Sequence, residues 1–379
     1  MLTGYKTGII YKEKMKVFAI NPGSTSTKTA IYSQSGEIFR KEINHDAQSL
    51  LTYKTIVSQL DFRKQAVLSM LSESGVKLSQ LQAVVGRGGL LKPMAGGVYL
   101  VNEQMKADLR SARHGSHASN LGALLADEVA GKAGVKAFIV DPIVVDEFSA
   151  LARYSGIPEI SRKSIFHALN HKATARKAAR KLNKEYDACN LIVVHLGGGI
   201  SVGIHEKGKV VDVNNALDGD GPFAIERAGT LPAGDWMRFS LSHGYDQPFL
   251  QGRLTGKGGI VAYLGTNDGR KIESAIENYL NGTIIESDLD GKKCLEVIRA
   301  MCYQVAKEIS SLAAVVFGNV DGIVLTGGLA RDQLVVKEIS GRVSFLAPVL
   351  LFPGENELES LAVSVIEALS GKQDIREYS

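Results

Sequence analysis

The chain has 379 residues, 45% hydrophobic and 22% charged, with a formal net charge of +4. That is an ordinary soluble composition, and the charge is too small to argue for nucleic acid or a membrane surface as partner. No apolar stretch approaches the roughly 18 residues of a membrane span. At about 150 residues per domain the length predicts two domains or three. Cys189, Cys294 and Cys302 show no CxxC spacing, which excludes the usual zinc and disulfide signatures and fits a reducing cytoplasm.

Residues 1–14, MLTGYKTGIIYKEK, lack the apolar region of a signal peptide and read as an N-terminal extension without a role. Strands follow over 17–20 and 29–32, joined by NPGSTSTK. Hairpin turns use Asn and Gly for their backbone freedom, but they do not need a run of small hydroxyl residues closed by lysine. Ser24 and Lys28 therefore read as donors to a phosphate. LQAVV, 81–85, is a further strand, followed at once by GRGG. A helix is expected from HASNLGALLADEVA, with Ser119 or Asn120 as N-cap and Gly134 near its end. AFIVD, 137–141, is a strand that ends on an acid, and IFHALNHKATARKAARKL is an amphipathic helix. Then come LIVVHLGGGISVGIHEKGKVVDV, DGIVLTGGLARD and FLAPVLLFPGENELESLAVSVIEAL. Cys302 falls on the apolar stripe of a helix with Leu295, Ile298, Val305 and Ile309, and reads as core.

Strand and helix signals alternate, so the chain is α/β. It also repeats itself. Residues 20–39 and 194–213 share one layout: apolar strand, Gly-rich turn with a serine, second strand, polar turn with Gly, third strand. The expected division is 15–155, with a C-terminal helix over 358–379 packing back on it, and 156–357. Two such halves facing each other would form a clamp lined by phosphate-holding turns. Neither GxGxxG opening a helix nor GxxxxGK[ST] is present, so a dinucleotide fold and a P-loop are unsupported.

NPGSTSTK, GRGGLLKPMAGGVY, IFHALNHK, HLGGGISVG, NNALDGDGPFAIERAGTLP and LTGGLARD together resemble the acetate and butyrate kinase family, and its butyrate kinase branch in particular. The likeness runs over residues 15–370, and the family stands within the larger group of sugar kinases, actin and Hsp70. It implies two actin-like (ribonuclease H-like) domains with a nucleotide-binding cleft between them. The implied reaction is reversible transfer of the ATP γ-phosphoryl to a short-chain carboxylate with Mg²⁺, in a cytoplasmic, self-associating enzyme. A carboxylate is already ionised at neutral pH, so no general base is required.

By the resemblance, Arg87 and Arg227 are the cations that meet the carboxylate and the moving phosphoryl, a task the guanidinium fork suits. His167 corresponds to a histidine that hydrogen-bonds the phosphoryl, and His117 to another histidine of the cleft. Asn21 and Glu357 match positions near magnesium, and Asp141 an acid acting through water, with Asp146 and Glu355 as rivals for the two acids. His195 with Gly197, Gly198 and Gly199 would approach the nucleotide phosphates, and Gly327 with Gly328 the adenosine. His167 and His171, four apart, are expected on one helix face; no acid follows His167 as in HExxH, which disfavours zinc. Gly88 and Gly89 would line the acyl site. Acetate kinases usually carry a branched apolar residue where Gly89 stands, so its absence is expected to leave room for a longer tail, with isobutyrate and valerate still open. Each buried methylene is worth about 0.8 kcal/mol, which limits discrimination by chain length. The alternatives are an acetate or propionate kinase, a sugar or polyol kinase with Asp218 or Asp220 as base, and an ATP-binding conformational module.

Overall fold

The computed structural model describes residues 15–283 and 288–379. The extension expected over 1–14 lies outside them. Within the described chain two compact units form, 15–145 with 356–379, and 146–355.

The first unit contains strands β1 (Lys16–Pro22), β2 (Ser26–Ser33), β3 (Gly36–Asn44), β4 (Leu81–Arg87), β5 (Val98–Leu100) and β6 (Lys136–Val140). The second contains β7 (Asn190–Leu196), β8 (Ile200–Glu206), β9 (Lys209–Val213), β10 (Gly322–Gly327) and β11 (Val349–Pro353). A last strand, β12 (Ile375–Glu377), returns to the first sheet, whose order is β12-β5-β6-β4-β1-β2-β3. The second sheet runs β11-β10-β7-β8-β9.

The internal repeat is visible in these orders. In each sheet three consecutive strands form an antiparallel meander, β1-β2-β3 or β7-β8-β9. Two later strands then extend the sheet in parallel from the first of the three, β4 and β6 in one, β10 and β11 in the other. Composition explains the placing. β7, NLIVVHL, is buried throughout, as a central strand flanked on both sides must be. β3 has no fully buried residue, as suits an edge.

Helices cover the sheets. Asn120–Ala133 packs on β4 and β6, starting after Ser119 and ending at Gly134 in the left-handed region (φ +68°), as its cap signals predicted. It lies unusually close to β4, because a Cβ on Gly86 would stand 2.0 Å from the Gly122 carbonyl oxygen. The long helix Gly291–Ala313 places Cys302 in the second core, where burial pushes the thiol up to about 12. Glu357–Leu369 packs on β1, β2 and β4 in the first unit. Among the described residues no helix is long and apolar enough to cross a membrane.

Candidate active site

Parallel strands expose backbone ends and loops at their carboxyl edges, where α/β proteins collect functional groups. In the first unit Asn21 lies near the end of β1, Arg87 ends β4, and Asp141 directly follows β6. Glu357, in the first turn of its helix, joins the first two. Its carboxylate takes a hydrogen bond from the Asn21 amide and lies 3.1 Å from Arg87 Nη1. The other end of Asn21 is left over: Oδ1 is buried without a hydrogen-bond partner. A buried orphan acceptor costs about 1–3 kcal/mol, so this atom marks a place for a donor or cation. Asp141 is buried with φ +37°, and Gly97 N donates to its Oδ1 at 2.7 Å.

Arg87 opens the GRGG turn, and that turn is held from behind. Asn120 Oδ1 accepts from Leu90 N at 2.9 Å while its amide donates to Gly115 O at 2.8 Å. His117 stands in the same segment. Ser119 N donates to its Nδ1 at 3.2 Å, which leaves the ring proton on Nε2. Desolvation of the ring and the Arg87 charge both move the His117 pKa down, toward the neutral form.

In the second unit His195 occupies the end of β7, and His167 stacks on it with ring centroids 3.7 Å apart. His195 Nδ1 is 2.9 Å from Asn170 Oδ1, and its Nε2 is 2.9 Å from Glu355 Oε1. The next turn is shaped by Arg227. Its guanidinium lies so close over Gly199 that a Cβ there would be 2.1 Å from Nη1, and it donates to the Ala216 carbonyl. Burial lowers the Arg227 pKa from its ordinary value, while Glu226 and Asp218 support the charge. Gly327, at φ +86°, brings β10 against Leu196, whose carbonyl oxygen would be 2.4 Å from a Cβ. A Cβ on Gly198 or Gly328 would meet nothing within 4 Å, so both leave backbone open to an approaching group.

The acetokinase family pattern matches residues 154–347. Butyrate kinase 2 of Clostridium acetobutylicum is 47% identical over 365 residues, which is 96% of this chain and 99% of that protein. The chain belongs to the acetokinase family. Its fold agrees with that of Porphyromonas gingivalis acetate kinase, at TM-score 0.74 and 17% identity over 94% of this chain and all of the other. A propionate kinase from Francisella tularensis aligns at TM-score 0.67 and 18% identity, over 92% of this chain and 98% of its own. The two sheets of this chain thus belong to actin-like folds.

Several expectations change once the chain is folded. His167 is not inside the helix with His171. It is the cap before Ala168–Lys181, at φ −80° and ψ 61°, though His171 N still donates to its carbonyl at 2.9 Å. The space argument for Gly89 fails locally: a Cβ there would lie 2.6 Å from Asn120 Cα, so Gly89 serves close packing and opens no pocket for an acyl tail. Gly88 is packed similarly against Pro142, at 2.5 Å. Lys28 lies opposite Asn21 on β2, and its ammonium is 3.6 Å from Glu42 across the next strand. Asp146, once a rival to Asp141, takes two 2.9 Å hydrogen bonds from Arg153. Glu355 belongs with His195, and Glu357 with Asn21 and Arg87.

One organiser was missed. Arg63 is fully buried and donates to the carbonyls of Gly23, Ser24 and Ser26, at 2.8, 2.9 and 3.0 Å. It holds the whole NPGSTSTK turn from beneath. Its signal was in the sequence: arginine at a core-facing position of Leu60–Glu73, in line with Val67, Met70 and Leu71.

Proposed function

We propose that this protein transfers the γ-phosphoryl of ATP to butyrate, or a similar short or branched acid, giving an acyl phosphate and ADP reversibly. The family sets the class: a kinase that phosphorylates a carboxylate and uses ATP. The narrower reading rests on one observation, the 47% identity to a butyrate kinase across 96% of the chain.

The chemistry asks for positioning and charge neutralisation, and the chain supplies both. The acceptor carboxylate arrives ionised, and Arg87, oriented by Glu357, pairs with it, with Gly88 and Gly89 forming the backbone at its side and His117 Nε2–H a neutral donor. Arg227 takes the charge that develops on the phosphoryl, and His167 hydrogen-bonds it. His195 and the Gly197–Gly199 turn approach the nucleotide phosphates, with Ser24 and Lys28 as donors from the other turn. The open backbone at Gly328, next to Gly327, suits adenosine. Mg²⁺ fits the orphaned Asn21 Oδ1 and the Glu357 carboxylate, with Asp141 acting through water; when bound, it would neutralise phosphate charge. Among the described residues no cluster of three or more His, Cys, Asp or Glu suits a metal, in keeping with an ion held by few protein oxygens.

A sugar kinase would need a free carboxylate as base. Asp220 instead holds its own turn, accepting from Asn215 N at 3.0 Å and Gly221 N at 2.9 Å. The division into domains 15–155 and 156–357 and a cytoplasmic location belong to the same reading. The deciding assay traps acyl phosphate as hydroxamate with ATP, Mg²⁺ and acids from acetate through valerate, including isobutyrate. Specific activity should peak at four carbons. A peak at acetate would overturn the chain-length reading, and no product with any acid would overturn the reaction.

A further inference from the structure

Behind His167 runs a buried row of hydrogen-bonding groups. His167 Nδ1 is 2.9 Å from Ser201 Oγ, and the same oxygen is 2.8 Å from His171 Nε2. His171 Nδ1 is 3.3 Å from His205 Nε2, and His205 Nδ1 is 2.8 Å from the Tyr186 hydroxyl. Ser201, His171 and His205 are wholly buried. Burial drives both histidines well below their ordinary pKa, with Lys172 and Arg176 adding to the effect at His205, so both rings are neutral. A neutral ring has one donor and one acceptor nitrogen, and a serine has one proton to give. A continuous row of such groups has two polarities, with every proton pointing toward His167 or every proton pointing toward Tyr186.

The charges around the row choose between them. Lys172 Nζ and Arg176 Cζ both lie 5.8 Å from the centre of the Tyr186 ring, and both act on His205. Glu147, 2.9 Å from Lys172, offsets part of this field. Lys172 and Arg176 both lower the His205 pKa, so the field at that ring is positive and turns the O–H and N–H dipoles away from the Tyr186 end. An anionic phosphoryl at His167 pulls the same way.

We propose that this row is a positioning device that fixes the tautomer of His167. Tyr186 donates to His205 Nδ1, His205 Nε2–H to His171 Nδ1, His171 Nε2–H to Ser201, and Ser201 to His167 Nδ1. The ring proton of His167 is thereby held on Nε2, ready to donate without a change of charge. The use of that proton rests on the phosphoryl-contacting role given to His167 above; the tautomer itself does not.

The test is a long-range ¹⁵N–¹H correlation spectrum of the full chain labelled with ¹⁵N-histidine, read alongside kcat and KM. In the parent, His167 Nδ1 should show the shift of an unprotonated ring nitrogen and Nε2 that of a protonated one. Tyr186→Phe removes the first donor at a half-buried position. It should move the Nδ1 signal toward the protonated position and lower kcat by roughly two- to tenfold, the worth of one neutral hydrogen bond, with KM unchanged. His171→Leu should do the same more strongly, and His171→Gln, whose amide can still donate to Ser201, should restore the parent tautomer. A parent with its proton on Nδ1 overturns the proposal, as does a Tyr186→Phe protein that keeps both parent tautomer and parent kcat. If no acid is phosphorylated yet the spectra behave as expected, the functional reading fails and the tautomer device stands.

Discussion

Burial pushes the Glu308 carboxyl up to about 7; Asp220 and Asp212 add to the shift, and Arg162 opposes it. In the unfolded chain the group titrates near 4.3. Between about 4.3 and 7 the folded protein therefore keeps a proton that the unfolded chain has released. Its contribution to stability falls as pH rises through that window and is level above it. Glu308→Gln removes the ionisation. The variant should melt with the parent near pH 5 and above it at pH 8; a lower melting temperature at pH 8 would mean that the ionised group is favourably held. His171 and His205 work in the opposite sense. Their depressed folded values cost stability as pH falls below the ordinary histidine range, where the unfolded chain takes up protons first.

Among elements, the two Gly-rich turns of the second unit look alike in sequence and differ in what they carry. At Gly199 an added Cβ would meet the end of the Arg227 side chain, which can swing aside. At Gly327 it would meet the backbone of Leu196, in a conformation with φ +86° that resists any side chain. Gly199→Ala should therefore fold normally and lose turnover, following Arg227→Ala toward a fall of about a hundredfold, with nucleotide affinity little changed. Gly327→Ala should lower the melting temperature instead. Thermal melts and kcat for both variants check this, and a Gly199→Ala enzyme with full turnover would remove Arg227 from its role. Much at this scale was legible. The paired meanders followed from residues 20–39 and 194–213, and period-two alternation in β8 already set Ser201 and His205 on one face, away from the core residues Ile200, Val202 and Ile204. In sequence Ser201 reads only as the serine of its Gly-rich turn, and a serine and a histidine four strand positions apart carry no motif of their own; the pair gains meaning only from His171, on a separate helix.

At the scale of the molecule, sequence lost what depends on distant partners. Asn21 meets Glu357 across 336 positions, and Arg63 reaches a turn about 40 positions away; no local pattern encodes either contact. The self-association expected from the family resemblance would be of this kind, because its partner would be a different chain altogether. We propose that it occurs through the segment 233–264 of the second unit. Met237 and Leu241, on the helix Ala233–Ser242, are 55% and 76% exposed, and Phe249 and Tyr263 also face solvent. Beside them opens a cavity of about 480 Å³ walled by Phe223, Trp236 and Phe239. Covering a leucine-sized side chain is worth about 1.5–3 kcal/mol, and association costs about 4–15 kcal/mol, so several such residues must be covered together to hold a dimer. Sedimentation equilibrium should give a dimer or larger species for the parent and a monomer for Leu241→Glu with Phe249→Glu. These side chains leave Arg227 and both histidine clusters intact, so the monomer should keep its fold. A parent that stays monomeric at every concentration would show that this apolar surface is not a contact between copies of the chain.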